Sequence, residues 1–149
     1  MLRGTPALAS VFLCFVCVFS QKSHQATNLC IRDMITRVTE LIKQAPQLNQ
    51  LDSTLYTPTL TDYKQNCPRA ALKCFAAEVK VFIDEWELLY KQKVQKSFRL
   101  EKMIDRLAAR LPQGESDCLQ CESLKEENVE NFLTELRLIL QHINSQFCT

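Results

Sequence analysis

The stretch Leu124-Lys-Glu-Glu-Asn-Val-Glu-Asn-Phe-Leu-Thr-Glu-Leu-Arg-Leu-Ile-Leu-Gln-His-Ile-Asn-Ser-Gln-Phe147 decides the fold. Its apolar residues Leu124, Val129, Phe132, Leu133, Leu136, Ile139, Leu140, Ile143 and Phe147 recur at helical spacing, which places them on one stripe of an α-helix. The same pattern returns three times upstream, and no strand-like alternation of comparable length competes with it. The first run is Ile31, Met34, Ile35, Val38, Leu41 and Ile42, with Thr27 or Asn28 as its expected N-cap and Pro46 as its stop. A second run opens at Pro68, a favoured first helical residue, and carries Leu72, Phe75, Val79, Phe82, Ile83, Trp86 and Tyr90. The third is Leu100, Met103, Ile104, Leu107 and Leu111, closed by Pro112 and Gly114. Four amphipathic helices predict an all-α bundle.

Composition agrees and removes other classes. The 149 residues suit one domain, and 2 Gly with 5 Pro leave little for tight hairpins. Gly4 and Gly114 cannot make a glycine-rich phosphate cradle, which excludes the dinucleotide and P-loop signatures. His24 and His142 are too far apart in sequence for an HExxH helix, so no enzyme and no cofactor is expected. Lys+Arg 18 against Asp+Glu 17, without a basic block, argues against nucleic acid as a partner.

The N-terminus differs from the rest. Arg3 precedes an apolar run from Ala7 to Phe19, and Val18-Phe19-Ser20 offers a cleavage site before Gln21. As a helix that run spans ~20 Å, against ~30 Å of hydrocarbon core, so it predicts a signal peptide over residues 1–20 and no membrane insertion after cleavage. Residues 21–149 are then the mature domain, secreted into an oxidising compartment. There the cysteines left after cleavage, Cys30, Cys67, Cys74, Cys118, Cys121 and Cys148, form an even set suited to disulfides. The competing interpretation is a zinc site from Cys67, Cys74, Cys118 and Cys121, because Cys118-Leu-Gln-Cys121 has ligand spacing.

Connections suggest how the helices run. The segment from Ala45 to Cys67 is long for a link within a compact domain and suits an overhand crossover between parallel helices. The link near Lys91 to Lys96 is short enough to force antiparallel neighbours, and the one after Pro112 is long enough to run back along the third helix if the fourth starts as late as Cys121. An up-up-down-down order is feasible. Cys30 and Cys148 would meet in that order, and equally in an up-down-up-down one. Cys67 and Cys74 share one helix face, as do Cys118 and Cys121, so parallel bridges Cys67 to Cys118 and Cys74 to Cys121 would fasten the start of the second helix to the start of the fourth.

The faces turned away from these stripes hold the remaining candidates. On the second helix they are Cys74, Glu78, Val81, Glu85 and Leu88, two carboxylates around an exposed valine on a convex surface with no catalytic cleft. On the fourth, Leu138, Gln141 and Ser145 lie opposite the core stripe. On the first, Asp33, Thr36, Arg37 and Glu40 face out, with an Asp33 to Arg37 pair expected.

Ser53-Thr-Leu-Tyr-Thr57, Cys67 with Leu72-Lys-Cys-Phe-Ala-Ala-Glu-Val-Lys-Val81, Ser116-Asp-Cys-Leu-Gln-Cys-Glu122, and Asn131-Phe-Leu133 through Gln141 resemble interleukin-15 and its interleukin-15-like relatives. The resemblance covers most of the mature chain, densest in the crossover and the second and fourth helices. It implies an all-α, short-chain four-helix cytokine bundle, up-up-down-down and disulfide-stapled, presented by an alpha receptor subunit and signalling to lymphocytes through a shared beta chain and the common gamma chain. Carried over residue by residue, it assigns Tyr56, Glu78, Val81, Glu85 and Glu122 to the alpha subunit, Asp33 and Glu101 to the beta chain, and Gln141, flanked by Leu138 and Ser145, to the gamma chain. Gln120 stands where mammalian interleukin-15 has an acid, Lys102 replaces a family asparagine, and Cys30 and Cys148 have no counterpart there. No Asn-x-Ser/Thr sequon occurs. The expectation is a secreted cytokine, monomeric before receptor binding. The alternatives are an interleukin-2- or interleukin-21-type ligand, or a small secreted helical carrier with an apolar cavity.

Overall fold

The computed structural model describes residues 30–48, 53–65, 67–90, 99–112, 117–118 and 120–148. The expected signal peptide, the caps Thr27 and Asn28, the link near Lys91 to Lys96, Gly114 and the side chain of Tyr90 lie outside the described residues.

The first amphipathic stripe forms α1 (Arg32–Lys43), which buries Met34, Val38 and Leu41. Its N-cap position is Ile31, which supplies no side-chain cap; the Ile31 N–H is taken instead by Asn144 Oδ1 at 3.1 Å. Pro46 does not end helical structure outright: after a turn at Gln44 a further helical turn, α2 (Ala45–Leu48), tolerates it near its start. The crossover, expected to be irregular, holds strand β1 (Leu55–Tyr56) and α3 (Leu60–Lys64). A reciprocal capping box starts α3, in which Asp62 N–H donates to Thr59 Oγ1 at 3.2 Å and Thr59 N–H donates to Asp62 Oδ2 at 2.8 Å. Then come α4 (Pro68–Tyr90), α5 (Leu100–Arg110), a 3₁₀ turn at Cys121–Ser123, strand β2 (Glu126–Glu127) and α6 (Val129–Phe147).

The fourth helix therefore starts later than the apolar spacing suggests. Leu124 is half-buried in the approach and does not belong to the helical stripe. Residues 126–127 commit their backbone to antiparallel pairing with β1, Leu55 opposite Glu127 and Tyr56 opposite Glu126, and helix formation waits for Asn128, whose Oδ1 accepts the Asn131 N–H at 2.8 Å. At the far end Phe147, next to the bridged Cys148, is 37% exposed.

Four contacts set the directions. Cys30 and Cys148, with Cα atoms 4.8 Å apart, join the start of α1 to the end of α6. Arg69 in the first turn of α4 donates from Nε and Nη2 to Leu111 O, at 3.0 and 2.7 Å, capping the free carbonyls at the end of α5. Tyr63, just before α4, packs edge-on against His142 with ring centroids 5.8 Å apart, whereas Phe75 meets Phe132 near the start of α6 at 5.2 Å. So α1 and α4 run one way, α5 and α6 the other: an all-α, up-up-down-down four-helix bundle.

The bridges are Cys67 to Cys118 and Cys74 to Cys121, with Cα separations of 5.8 and 5.4 Å, so these cysteines are not zinc ligands here. They do not join two helix starts, as the sequence suggested. Cys118 and Cys121 lie in the chain approaching α6, which climbs along α4 from Cys67 past Cys74 to the neighbourhood of Glu78 before the helix begins; α6 thus starts partway up α4 and returns antiparallel to it. Cys74, expected to face outward, is 5% exposed beneath this segment.

One core runs through the bundle, with Phe75, Phe82, Phe132, Leu72, Leu100, Ile104, Leu136 and Leu140 fully buried. Phe132 sits where α4 and α6 meet, so its truncation leaves a cavity between two helices of different direction. Phe132→Ala is expected to lower stability by about 3–5 kcal/mol while leaving the three bridges formed. Urea denaturation checks the loss and non-reducing peptide mapping checks the bridges; a loss under about 1 kcal/mol would mean that Phe132 is not central to the core.

Candidate functional site

Two segments distant in sequence are laid across the outer side of α4. From the crossover, β1 brings Tyr56, whose backbone N–H donates to Glu78 Oε2 at 2.8 Å. From the approach to α6, the Cys74 to Cys121 bridge holds the 3₁₀ turn that carries Glu122, and β2 sets Glu126 opposite Tyr56. Thr57 N–H, donating to Lys125 O at 2.9 Å, extends the pairing by one bond.

Glu78 is the centre of this arrangement. Burial raises its carboxyl above the usual carboxylate range, the Tyr56 N–H opposes this, and the charges of Glu122 and Glu126 add to the rise. Glu127, close by in sequence, goes the other way. Lys125 first, with Nζ 3.1 Å from its Oε1, and then the Asn131 amide at 3.2 Å hold its carboxyl below the usual range. The acid that the sequence reading placed at the surface as a direct receptor contact is thus half-buried and already occupied by a backbone donor of its own chain.

Around it the other residues assigned to this face fall as follows. Tyr56 and Glu85 are half-buried, Glu122 and Gln120 are exposed, and Val81 is 49% exposed just under one turn beyond Glu78. Leu88 continues the stripe at 78% exposure. The fold therefore gathers Tyr56, Glu78, Val81, Glu85 and Glu122 from three segments, and adds Glu126, which helical periodicity could not reveal because it lies on a strand. The block Glu126-Glu127 next to Asn128, an N-cap type, was the available sign that the chain there is not yet helical.

Elsewhere the candidates separate into two groups. On α6, Leu138 is 43% exposed, Gln141 and Ser145 are exposed, and Ser145 Oγ donates to His142 O at 2.8 Å, so this strip faces away from the core as its spacing predicts. On α1, Asp33 is exposed and pairs with Arg37 Nε at 3.2 Å. Glu101 is half-buried in the first turn of α5. Because α1 and α5 run in opposite directions, Asp33 and Glu101 lie toward opposite ends of the bundle and do not form one cluster.

An open cleft of about 120 Å³ between α3, α4 and the bridged segment is lined by Pro58, Asp62, Ala71 and Leu124 among others. It is small beside the ~300–1,000 Å³ of ligand sites and lies outside the core. Among the described residues, no helix is long and apolar enough to cross a membrane.

The profile of the interleukin 15 family matches residues 11–144. The chain belongs to the interleukin 15 family. Similar proteins include the interleukin-15 of Ailuropoda melanoleuca, 32% identical over 80% of this chain and 69% of that protein. That of Oryctolagus cuniculus is 32% identical over 74% of this chain and 65% of its own length, and that of Felis catus is 27% identical over 86% and 88%. Family membership makes the chain a cytokine and not an enzyme, and sets the carrier and the interleukin-2- and interleukin-21-type alternatives aside.

The environment of Glu78 has a consequence for stability. With its folded carboxyl raised above the unfolded value, the folded chain holds more proton than the unfolded one between those two values. This group's contribution therefore falls as pH rises through that window. Glu78→Gln retains a carbonyl that can accept the Tyr56 N–H and removes the charge. The variant is expected to match or exceed the parent's stability at neutral pH, with the difference shrinking on mild acidification, as read by urea midpoints. A variant less stable than the parent at neutral pH would contradict this account of the site.

Proposed function

We propose that this cytokine is secreted after removal of residues 1–20 and acts by bringing receptor chains together. Its alpha subunit binds the acidic face of α4, its beta chain binds through Asp33 and Glu101, and its common gamma chain binds the α6 strip of Leu138, Gln141 and Ser145. The observation that carries this proposal is the acidic face itself, where Glu78, Glu122 and Glu126 converge around Tyr56 beside an exposed valine. Convergent like charges held together at a fold's expense suit a basic partner, whose approach they accelerate.

The geometry divides the labour within the face. Glu78 anchors β1, so its charge reversal would disturb the fold; Glu85 and Glu122 are the residues that can meet receptor cations directly. Val81 offers the apolar centre that excludes water around them. On α6, the amide of Gln141 can donate and accept together, which satisfies a receptor backbone without desolvating a charge. Surface-binding measurements against the three receptor ectodomains test the assignment as a whole.

Two variants test its parts. Glu85→Lys with Glu122→Lys should reduce the association rate for the alpha subunit by ~10-fold or more at low salt and flatten its salt dependence. Unchanged kinetics at low salt would rule the acidic face out. Gln141→Asp removes a donor and places a negative charge at the contact, so signalling in a receptor-bearing cell line should fall steeply while alpha-subunit binding and helical content are retained. A variant that signals like the parent would remove Gln141 from the gamma-chain site.

A further inference from the structure

The start of α1 has no cap of its own. Its N-cap residue Ile31, from whose carbonyl the first intrahelical bond runs to Ile35 N–H at 3.1 Å, has no polar side chain to supply one. What holds it comes from α6. Asn144 is bonded in two directions: its Oδ1 accepts the Ile31 N–H at 3.1 Å, and its backbone carbonyl accepts the Cys148 N–H at 2.9 Å. One residue before Ile31, Cys30 is bridged to that same Cys148. The bridge and the amide close a small ring of chain that joins the two helix ends at two adjacent points.

This ring lies between two of the proposed signalling contacts. Asp33 follows Ile31 within the first turn of α1, and Gln141 and Ser145 flank Asn144 on α6. The acidic face is held by other means: its two bridges, the β1 to β2 pairing and the Tyr56 to Glu78 bond all lie on α4 and the crossovers. Cys30 is exposed, while Cys74 beneath the acidic face is 5% exposed. The two sets of restraints share no residue.

We infer that the Cys30 to Cys148 bridge and Asn144 form a clasp that positions Asp33 against Gln141 and Ser145 for the signalling chains, independently of the alpha-subunit face. Asn144 is a positioning residue in this scheme, acting on the receptor through the angle and register of α1 on α6. Preorganisation of this kind lowers the ordering cost that binding would otherwise carry. The inference rests on the assignment of the α1 and α6 faces to signalling chains.

The test uses the full mature chain in four forms: parent, Cys30→Ser with Cys148→Ser, Asn144→Leu, and Asn144→Asp. Hydrogen exchange is read at the amides of α1, and binding is read separately against the alpha subunit and the two signalling ectodomains. The double serine variant should exchange faster at the start of α1 and lose affinity for the signalling chains on the order of tenfold, with alpha-subunit affinity unchanged. Asn144→Leu removes the acceptor and should lose roughly fivefold, whereas Asn144→Asp keeps an acceptor at the start of α1 and should behave like the parent. Parallel losses at both faces, or a double variant that does not fold, would overturn the inference, since the clasp would then be a general staple. Unchanged binding in the double variant and in Asn144→Leu would overturn it as well. A parent that engages neither signalling chain sinks the face assignment instead, a result kept apart because exchange at α1 is read without any receptor.

Discussion

The bridge between Cys74 and Cys121 does more than fasten two segments, because it holds together charges that would otherwise separate. Glu78 on α4, Glu122 in the bridged turn and Glu126 on β2 repel one another, and Glu78 is additionally stripped of part of its hydration. Against this stand the bridge, its neighbour at Cys67, the β1 to β2 ladder and the hydrogen bond from Tyr56. On the chain-entropy account, the first loop closed, with a sequence separation of about 50 residues, is worth about 4 kcal/mol, and the second bridge, which overlaps it, adds less. That scale is sufficient to hold an acidic surface that like-charge repulsion alone would open.

The same bridge explains why the topology can be up-up-down-down. Both long connections have to travel the length of the bundle, and each is secured to α4 on the way: the first by Tyr56 on Glu78, the second by Cys118 and Cys121 on Cys67 and Cys74. Each then meets the other in the β1 to β2 pair, so neither strand is left with an open edge on that side. The core beneath, from Phe75 and Phe132 to Leu140, needs only helical stripes of the right width; the crossovers decide which helices may lie parallel.

What was legible in the sequence follows from which signals are local. The stripes of α1, α4, α5 and α6 are local periodicities, and most of the described residues they assign to the core are buried, while Ile31, Ile35, Ile42, Trp86 and Met103 pack against it partly buried. The exposed strip on α6 was equally readable, since it is the complement of a long, regular stripe. The start of α6 was misread because Leu124 continues the apolar count although residues 126–127 spend their backbone on β1, a partner some seventy residues away. The exposure of Cys74 and Glu78 was misread for the same reason: periodicity reports which side of a helix faces its own core, and a second layer laid over the outer side is invisible to it. Thr59 with Asp62, and Asn128 with Asn131, were local signals of caps that the apolar pattern overshadowed.

Glu78 shows why a residue assigned to a contact by family resemblance needs a physical account of its own. A carboxylate brought into an interface loses hydration, and that loss is normally charged against binding. Here a share of it is incurred during folding, when Glu78 is half-buried and accepts the Tyr56 N–H. On the proposed reading the residue would reach a partner already partly desolvated, fixed in position and carrying a charge that its acidic neighbours make harder to keep. A cation arriving over Val81 would relieve that repulsion as well as forming new contacts. On the proposed reading Glu122, exposed in the bridged turn, would meet such a cation directly and add to the field that guides its approach, while Glu78 would hold β1 in place beneath it.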